Sequence, residues 1–296
     1  GIVGIVIMSV TDRRAIFVGC AKNCQKHLQS VLGNIERIAS VFGEAAFVFV
    51  ENDSVDSTKA IFNNWSEGKK NFHLLNLDGL DAIQQRGLRL EVARNAYFEY
   101  IRSNARLADF DYLVVLDLDE INTMAVNLTH IENAVRFLEQ MPDYAGVFAN
   151  QIGIYYDMWT LRHPVLCPHD IWEEVFDYSF KNDVSDEVAY NETFKRRLFS
   201  LSPDASPVEV DSAFGGFGIY KLHYVLKIKN PYLGSKVKVL QNSTQLKIVR
   251  WQVCEHVHFN LGIRNLGGRL FIFPRLVNAS TERSYFPPSA WRDYLF

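Results

Sequence analysis

The sequence predicts an α/β fold, with a mostly parallel, Rossmann-like central sheet flanked by helices and a less regular second half. Two observations carry this. Four short apolar runs, 15–19, 45–50, 72–76 and 112–116, have the length of buried strands. Between them lie stretches with helical periodicity, and strand–helix alternation implies a parallel sheet with helices on both faces.

Taken in order, Gly1 to Met8 is apolar and reads as a strand, or as the trimmed end of a membrane anchor, since the chain does not start with Met. The run 15–19 is the first buried strand. Leu28, Val31, Leu32, Ile35 and Ile38 then share one helix face. After the run 45–50, Asn52 to Thr58 offers several helix N-caps before a helix ending near Trp65. The strand 72–76 precedes a long helix from Arg89 to Arg106, with Leu90, Ala93, Tyr97 and Ile101 inward. The strand 112–116 is followed by a helix at 128–140. Residues 146–156 read as one or two strands, 157–205 as an aromatic and charged stretch with a helix near 186–199, 208–220 as two short strands broken by a glycine bend, and 249–259 as a late strand. No repeat or linker divides the chain, so residues 1–296 read as one domain.

Composition narrows the function. The chain has 296 residues, 48% of them hydrophobic, which is enough for a large core. A net charge of −3 argues against a nucleic-acid binder. No stretch approaches the roughly 20 apolar residues that span a bilayer. Cys20, Cys24, Cys167 and Cys254 make no disulfide framework, and the Cys20–Cys24 spacing has no second pair to build a zinc site. Asn-x-Ser/Thr sequons at Asn52, Asn64, Asn127, Asn191, Asn242 and Asn278 carry little weight as signs of secretion.

The most informative motif is Asp117-Leu118-Asp119, with Glu120 beside it, directly after the apolar run 112–116. One intervening residue sends both Asp side chains the same way from an extended strand. Ligands bind at that strand edge in open α/β sheets. Paired carboxylates repel unless a cation lies between them, and a hard divalent ion shared with a diphosphate is the simplest choice. That is the chemistry of a nucleotide-sugar donor. Two other charged loops converge on the same edge: Glu51-Asn52-Asp53, suited to a nucleoside, and the arginines Arg86, Arg89 and Arg94, whose guanidinium forks suit a diphosphate. Arg94 lies mid-helix among apolar positions, so it needs a specific partner.

A strand ending in Glu51-Asn52-Asp53-Ser54, with Asp56 and Thr58, then Ala93-Arg94-Asn95 in a helix, then Asp117-Leu118-Asp119, resembles the GT-A glycosyltransferases. More narrowly it is similar to the fungal capsule-associated α-mannosyltransferase family and its bacterial or viral relatives. Tyr156-Asp157-Met158-Trp159, Phe214 to Tyr220 and Cys254-Glu255-His256 extend the likeness. The resemblance implies a nucleotide-sugar donor, Mn2+ or Mg2+, and a carbohydrate acceptor. It implies that residues 1–122 hold the nucleotide sugar and 123–296 the acceptor. Asp117 and Asp119 would be the metal motif, Glu51 and Asp53 would lie near the nucleoside, and Arg89 and Arg94 near the diphosphate. His256, with His258 two residues on and thus of the same strand parity, would complete the metal shell from a late strand. Asp211 and Glu255, with Asp157, are the carboxylates that could serve in catalysis in either geometry, retention being the resemblance's preference. Glycines 215, 216 and 218 would let backbone approach a sugar, and Tyr155, Tyr156, Trp159 and Trp172 could stack on sugar rings.

Two other functions use part of this pattern. A nucleotidyltransferase would need a better phosphate loop than Gly19-Cys20-Ala21-Lys22, and a carbohydrate-binding module would not need a parallel sheet. A cytoplasmic location, bacterial or viral, is the expectation over the Golgi lumen.

Overall fold

The computed structural model describes residues 9–281; the Gly1–Met8 stretch lies outside them. The first half delivers the expected alternation. β1 (Arg14–Ala21) leads to α1 (Gln25–Ala39), and β2 (Glu44–Glu51) to α2 (Thr58–Ser66). β3 (Phe72–Asn76) leads to α3 (Arg86–Ser103) and the short α4 (Ala105–Ala108), and β4 (Tyr112–Leu116) to α5 (Leu128–Glu139). These strands lie in the order β3-β2-β1-β4, all neighbours parallel. The apolar runs of β1, β2 and β4 are buried on both faces, whereas β3, at the sheet edge, is only half-buried. Ile16, Val18, Val48, Val50, Leu113 and Val115 pack with Ala93, Tyr97 and Ile101 of α3. The alternate residues Phe17, Phe49, Val114 and Leu116 pack with Leu28, Val31 and Ile35 of α1 and Ile131 and Val135 of α5. This period-2 division is why the strands read as unbroken apolar runs.

The second half contains β5 (Tyr144–Gly153), α6 (Ile171–Asn182), α7 (Asp186–Glu192), α8 (Phe194–Arg197), β6 (Val208–Val210), β7 (Phe217–Lys221) and α9 (Leu222–Lys227). β8 (Ser235–Gln241), β9 (Leu246–Gln252), α10 (Glu255–Asn265) and β10 (Arg269–Thr281) follow. β7 inserts antiparallel between β4 and β5, β10 runs parallel to β5, and β6 closes the edge antiparallel to β10. The result is one eight-stranded, mainly parallel sheet flanked by helices, with β8 and β9 forming a separate hairpin.

Three expectations are corrected. The stretch 249–259 is not one strand: β9 ends at Gln252 and α10 starts at Glu255. The helix expected over 89–106 begins at Arg86 and breaks at Asn104, whose side chain caps α4 by accepting from the Leu107 amide. The helix near 186–199 is two pieces parted at Thr193, and α6, within the stretch read as irregular, was not anticipated. Its N-cap Asp170 accepts from the amides of Trp172 and Glu173. Among the described residues, no helix is long and apolar enough to cross a membrane.

Candidate active site

The acidic motif sits at the C-terminal end of β4, between β1 and β7. Leu118 is buried against Gly19, where a Cβ would come within 2.8 Å of its side chain. That anchor turns Asp117 and Asp119 outward. Asp119 is exposed and accepts from the Ile121 amide at 3.1 Å. The Asp117 amide donates to the Gly216 carbonyl at 2.9 Å.

A buried amide network holds this turn, and sequence reasoning missed it. Asn122 Nδ2 donates to the Asp117 carbonyl at 2.8 Å and to the Gly216 carbonyl at 2.7 Å. Asn278 Nδ2 donates to Asn122 Oδ1 and to the Gly215 carbonyl, and Gln151 Nε2 donates to Asn278 Oδ1. Asn34 Nδ2 donates to the Asn122 carbonyl from the α1 side. Single Asn and Gln residues far apart in sequence give no periodic signal, so nothing short of the fold could find them. Asn278, fully buried here, is also not an accessible glycosylation sequon.

The glycine bend belongs to the same device. Gly215 and Gly216 have φ of +68° and +83°. A Cβ on Gly216 would meet Ile121 Cγ2 at 2.7 Å. The close approach that glycine permits is therefore to the chain itself, not to a sugar ring as expected.

Arg94 finds its partner inside the protein. Its Nη2 donates to Asp117 Oδ1 at 3.0 Å and its Nε to Glu255 Oε1 at 2.8 Å. Both Arg94 and Glu255 are buried, and Arg94 Nη1 has no hydrogen-bond partner among the described residues. Burial opposes ionisation of Glu255. His256, and at neutral pH Arg94 and Arg86, outweigh it and take the carboxyl down to about 2. Asp117 moves the other way. Burial raises its pKa, Arg94 only partly offsets this, and the nearby charges of Asp119 and Glu255 raise it further.

His256 is placed differently from the expectation. It lies on α10 with its ring stacked 3.9 Å from that of Phe214. Residues two apart on a helix point to nearly opposite sides, so His256 and His258 do not share a face. His258 instead sets its Nδ1 2.9 Å from the Pro231 carbonyl. Burial and the Arg94 charge lower the His256 pKa to about 3, so the ring is neutral. Its Nε2 is 3.5 Å from Glu255, and neither ring nitrogen has a hydrogen-bond partner among the described residues. Among the described residues, no three His, Cys, Asp or Glu side chains cluster as a ready metal shell.

A cavity of about 300 Å³ adjoins the acidic motif. Asp117 and Asp119 line it, with Arg86, Arg89 and Arg94 from α3, Asn52, and the end of β1 with Lys22 and Cys24 beyond it. Glu51 and Asp53 serve the loops around it. Glu51 is fully buried and accepts from the Ser54 amide at 2.8 Å. Asp53 accepts from the amides of Gly79 and Asp81. Asn52, between them, is the residue that reaches the cavity. The rest of that motif latches the cavity wall: Ser54 Oγ, Asp56 Oδ2 and Thr58 Oγ1 accept from the amides of Asn23, Gln25 and Cys24. Arg89 Nη1 donates to the carbonyls of Ile83 and Gln84, stiffening the entry to α3.

A second cleft of about 1080 Å³ is lined by α6, the start of α10 and Asp211. Asp211 accepts from Arg264 Nε at 3.2 Å. The first turn of α10 separates the two spaces: Glu255 turns to Arg94, while Cys254, Val257 and His258 line the larger cleft. Of the aromatics expected to stack on sugars, Tyr155 is buried against Phe199, Trp172 is in the core and the Trp159 indole donates to Asp170; Tyr156 is 37% exposed.

No protein-family model matches the chain, and no curated protein matches it in sequence. Among solved structures it is similar to the mannosyltransferase PcManGT from Pyrobaculum calidifontis in complex with GDP-Man and Mn2+. That match has 15% identity, covers 95% of this chain and 60% of that one, and has a TM-score of 0.47. It is similar to S. aureus TarS 1-349, at 14% identity over 91% of this chain and 60% of that one, TM-score 0.45. It is also similar to glucosyl-3-phosphoglycerate synthase from Mycobacterium tuberculosis in complex with Mn2+, UDP and glucosyl-3-phosphoglycerate. There the identity is 10% over 92% of this chain and 73% of that one, TM-score 0.41. The chain spans about 60% of the length of the first two. Likeness at this level is of chain path only, and the functional argument rests on the side chains.

Proposed function

We propose that the chain is a metal-dependent glycosyltransferase of GT-A type, moving a sugar from a nucleotide-sugar donor to a carbohydrate acceptor. One observation carries the reading: Asp117 and Asp119 share a single small cavity with Arg86, Arg89 and Arg94 at the C-terminal strand edge. Two carboxylates next to three guanidiniums suit a divalent cation and a diphosphate bound side by side.

The donor set fits a hard cation. Asp119 is exposed, and Asp117 is held above the usual carboxylate range by burial and by the adjacent negative charge. A cation would relieve that crowding. Asp117 and Asp119 would hold Mn2+ or Mg2+, with the remaining ligands from diphosphate and water. The ion would supply charge neutralisation on the leaving diphosphate. Arg86 and Arg89 would bind the same diphosphate, and Asn52 would face the nucleoside. Arg94 would keep Asp117 oriented.

The larger cleft would take the acceptor, with Asp211 on its wall to receive an acceptor hydroxyl proton or orient the hydroxyl. Glu255, locked onto Arg94, would position rather than catalyse. A phosphate-loop nucleotidyltransferase is a poorer reading, because Lys22 pairs with Asp81.

Calorimetry tests the proposal. UDP and GDP should be titrated into the protein with Mn2+ and with EDTA, for wild type and Asp119→Asn. Binding is expected with Mn2+ only and is lost in the variant. Equally tight binding in EDTA would remove the metal role.

A further inference from the structure

α3 begins without a cap of its own. Its N-cap residue, Gln85, makes no side-chain bond to the first turn. The first amides of a helix have no partner within it, and a buried one needs an acceptor from elsewhere. Gly87, in that turn, is buried. Its acceptor comes from 165 residues away: the Gly87 amide donates to Gln252 Oε1 at 2.8 Å. Gln252, at the end of β9, is itself buried.

The same joint is packed backbone against backbone. A Cβ on Gly234 would fall 1.9 Å from the Gly87 carbonyl oxygen, and a Cβ on Gly87 would fall 2.4 Å from the Gly234 carbonyl oxygen. Only glycine allows that approach. The Gly234 amide donates to Glu91 Oε2 at 3.2 Å, one turn further along α3. The Gly234 carbonyl accepts from the Val253 amide at 3.1 Å, which ties it to the residue after Gln252.

This turn carries arginines of the small cavity. Arg86 precedes Gly87 directly, and Arg86, Arg89 and Arg94 all line that space, whereas Gln252 does not. The segment 252–255 grips α3 at both ends of the arginine row: Gln252 holds the Gly87 amide and Glu255 holds Arg94. Val253 and Cys254, between them, line the larger cleft. One short stretch of the second half is thus a wall common to both spaces.

We propose that Gln252 is a positioning residue for the donor diphosphate. By capping Gly87 it fixes the first turn of α3, from which Arg86 and Arg89 reach the small cavity. The role rests on the nucleotide-sugar reading of that cavity. Gln252 acts through the helix and not by contact with the donor.

Gln252→Met fills the same space without an acceptor. In the nucleotide-free protein, amide hydrogen exchange over residues 86–90 should quicken about tenfold in this variant, because a buried donor is left unsatisfied. It should stay as in wild type in Gln252→Glu, whose carboxylate still accepts. Affinity for UDP or GDP with Mn2+ should fall about tenfold or more in Gln252→Met, as the guanidiniums lose their aim. Combined with Arg86→Ala, the loss should be smaller than the product of the two single effects, since one residue acts through the other. If Gln252→Met does not fold, Gln252→Asn, which withdraws the acceptor by one methylene, replaces it in each comparison. Unchanged exchange, unchanged nucleotide affinity, or single effects that multiply would overturn the proposal while wild type still binds nucleotide. A wild type that binds neither nucleotide with Mn2+ would instead overturn the transferase reading, and this role with it.

Discussion

Arg94 and Asp117 are joined across the strand edge, Nη2 to Oδ1 at 3.0 Å, by a guanidinium that is already paired with Glu255. One buried cation thus stands between two carboxylates. Glu255 takes the larger share, and its pKa falls. Asp117 keeps the surplus negative charge, and its pKa rises. A site poised in this way resists its own full ionisation until a second cation arrives.

Arg94→Ala should therefore damage the fold as well as the site. It leaves Glu255 buried without its counterion, a loss of about 3–5 kcal/mol when one partner of a buried pair is removed. Arg102→Ala, on a half-exposed side chain of the same helix, should cost about 1 kcal/mol or less. Urea denaturation of both variants checks this. Equal destabilisation would contradict the buried position of Arg94. Arg94→Lys, which keeps the charge but not the fork, should fold better than Arg94→Ala and still bind nucleotide more weakly than wild type.

Asp117→Asn should raise the stability of the metal-free protein. The folded-state pKa of Asp117 lies above its unfolded value, so the native state holds the proton more tightly. Its contribution is fully present below the unfolded value and is lost as pH rises through the folded one. Metal-free wild type should thus lose about 1–2 kcal/mol between pH ~4 and neutrality, less than burial alone implies because water screens a side chain that keeps 29% of its exposure. Asp117→Asn should lack that slope and fail to bind nucleotide with Mn2+. Denaturation at several pH values in EDTA measures it; an identical slope in the variant would place the surplus charge elsewhere.

Much of this site was legible because it stands at strand ends. The runs around Val48 and Val114 are apolar on both parities, so their strands and the outward turn at Asp117 could be read directly. The α10 segment was not legible. Its buried stripe is Glu255, His256, Phe259, Asn260 and Ile263, helical in spacing but half polar, so hydrophobic periodicity could not reveal it. The preceding β-branched and aromatic residues of β9 then extended the strand reading too far. The hydrogen bonds of Glu51 and Asp53 were not legible for a related reason: a carboxylate after a strand can serve a ligand or a neighbouring loop, and here Glu51 accepts from the Ser54 amide while Asp53 meets the 78–81 segment, distant in sequence.

Glu255→Gln separates positioning from catalysis. Burial would raise the carboxyl's pKa, but His256, Arg94 and Arg86 bring it to about 2. Its stabilisation is present above the ordinary glutamate range and is lost as pH falls towards 2. The variant should lose about 1–3 kcal/mol at neutral pH and show a flatter acid limb of stability. Any transfer activity should keep its pH profile. A loss of about 10²–10⁴ in kcat with stability unchanged would instead make Glu255 the base.

Gly216→Ala tests whether the glycine bend builds the Asp117–Asp119 edge from behind. With φ of +83°, an alanine there pays a backbone cost of about 1–3 kcal/mol. Its Cβ would also press on Ile121 Cγ2 at 2.7 Å. Ile121 follows Asp119 by two residues, and the Gly216 carbonyl accepts from both the Asp117 amide and Asn122. The strain therefore falls on the turn that aims both carboxylates. Mn2+-dependent nucleotide binding should weaken about tenfold or more, since displacements of this size degrade positioned groups. Gly267→Ala is the control: its φ is equally positive at +83°, and no atom lies within 4 Å of its Cβ. It should cost similar backbone energy and leave nucleotide affinity unchanged. If both variants bind alike, the bend contributes stability only and the carboxylates are aimed by β4 and Leu118 alone.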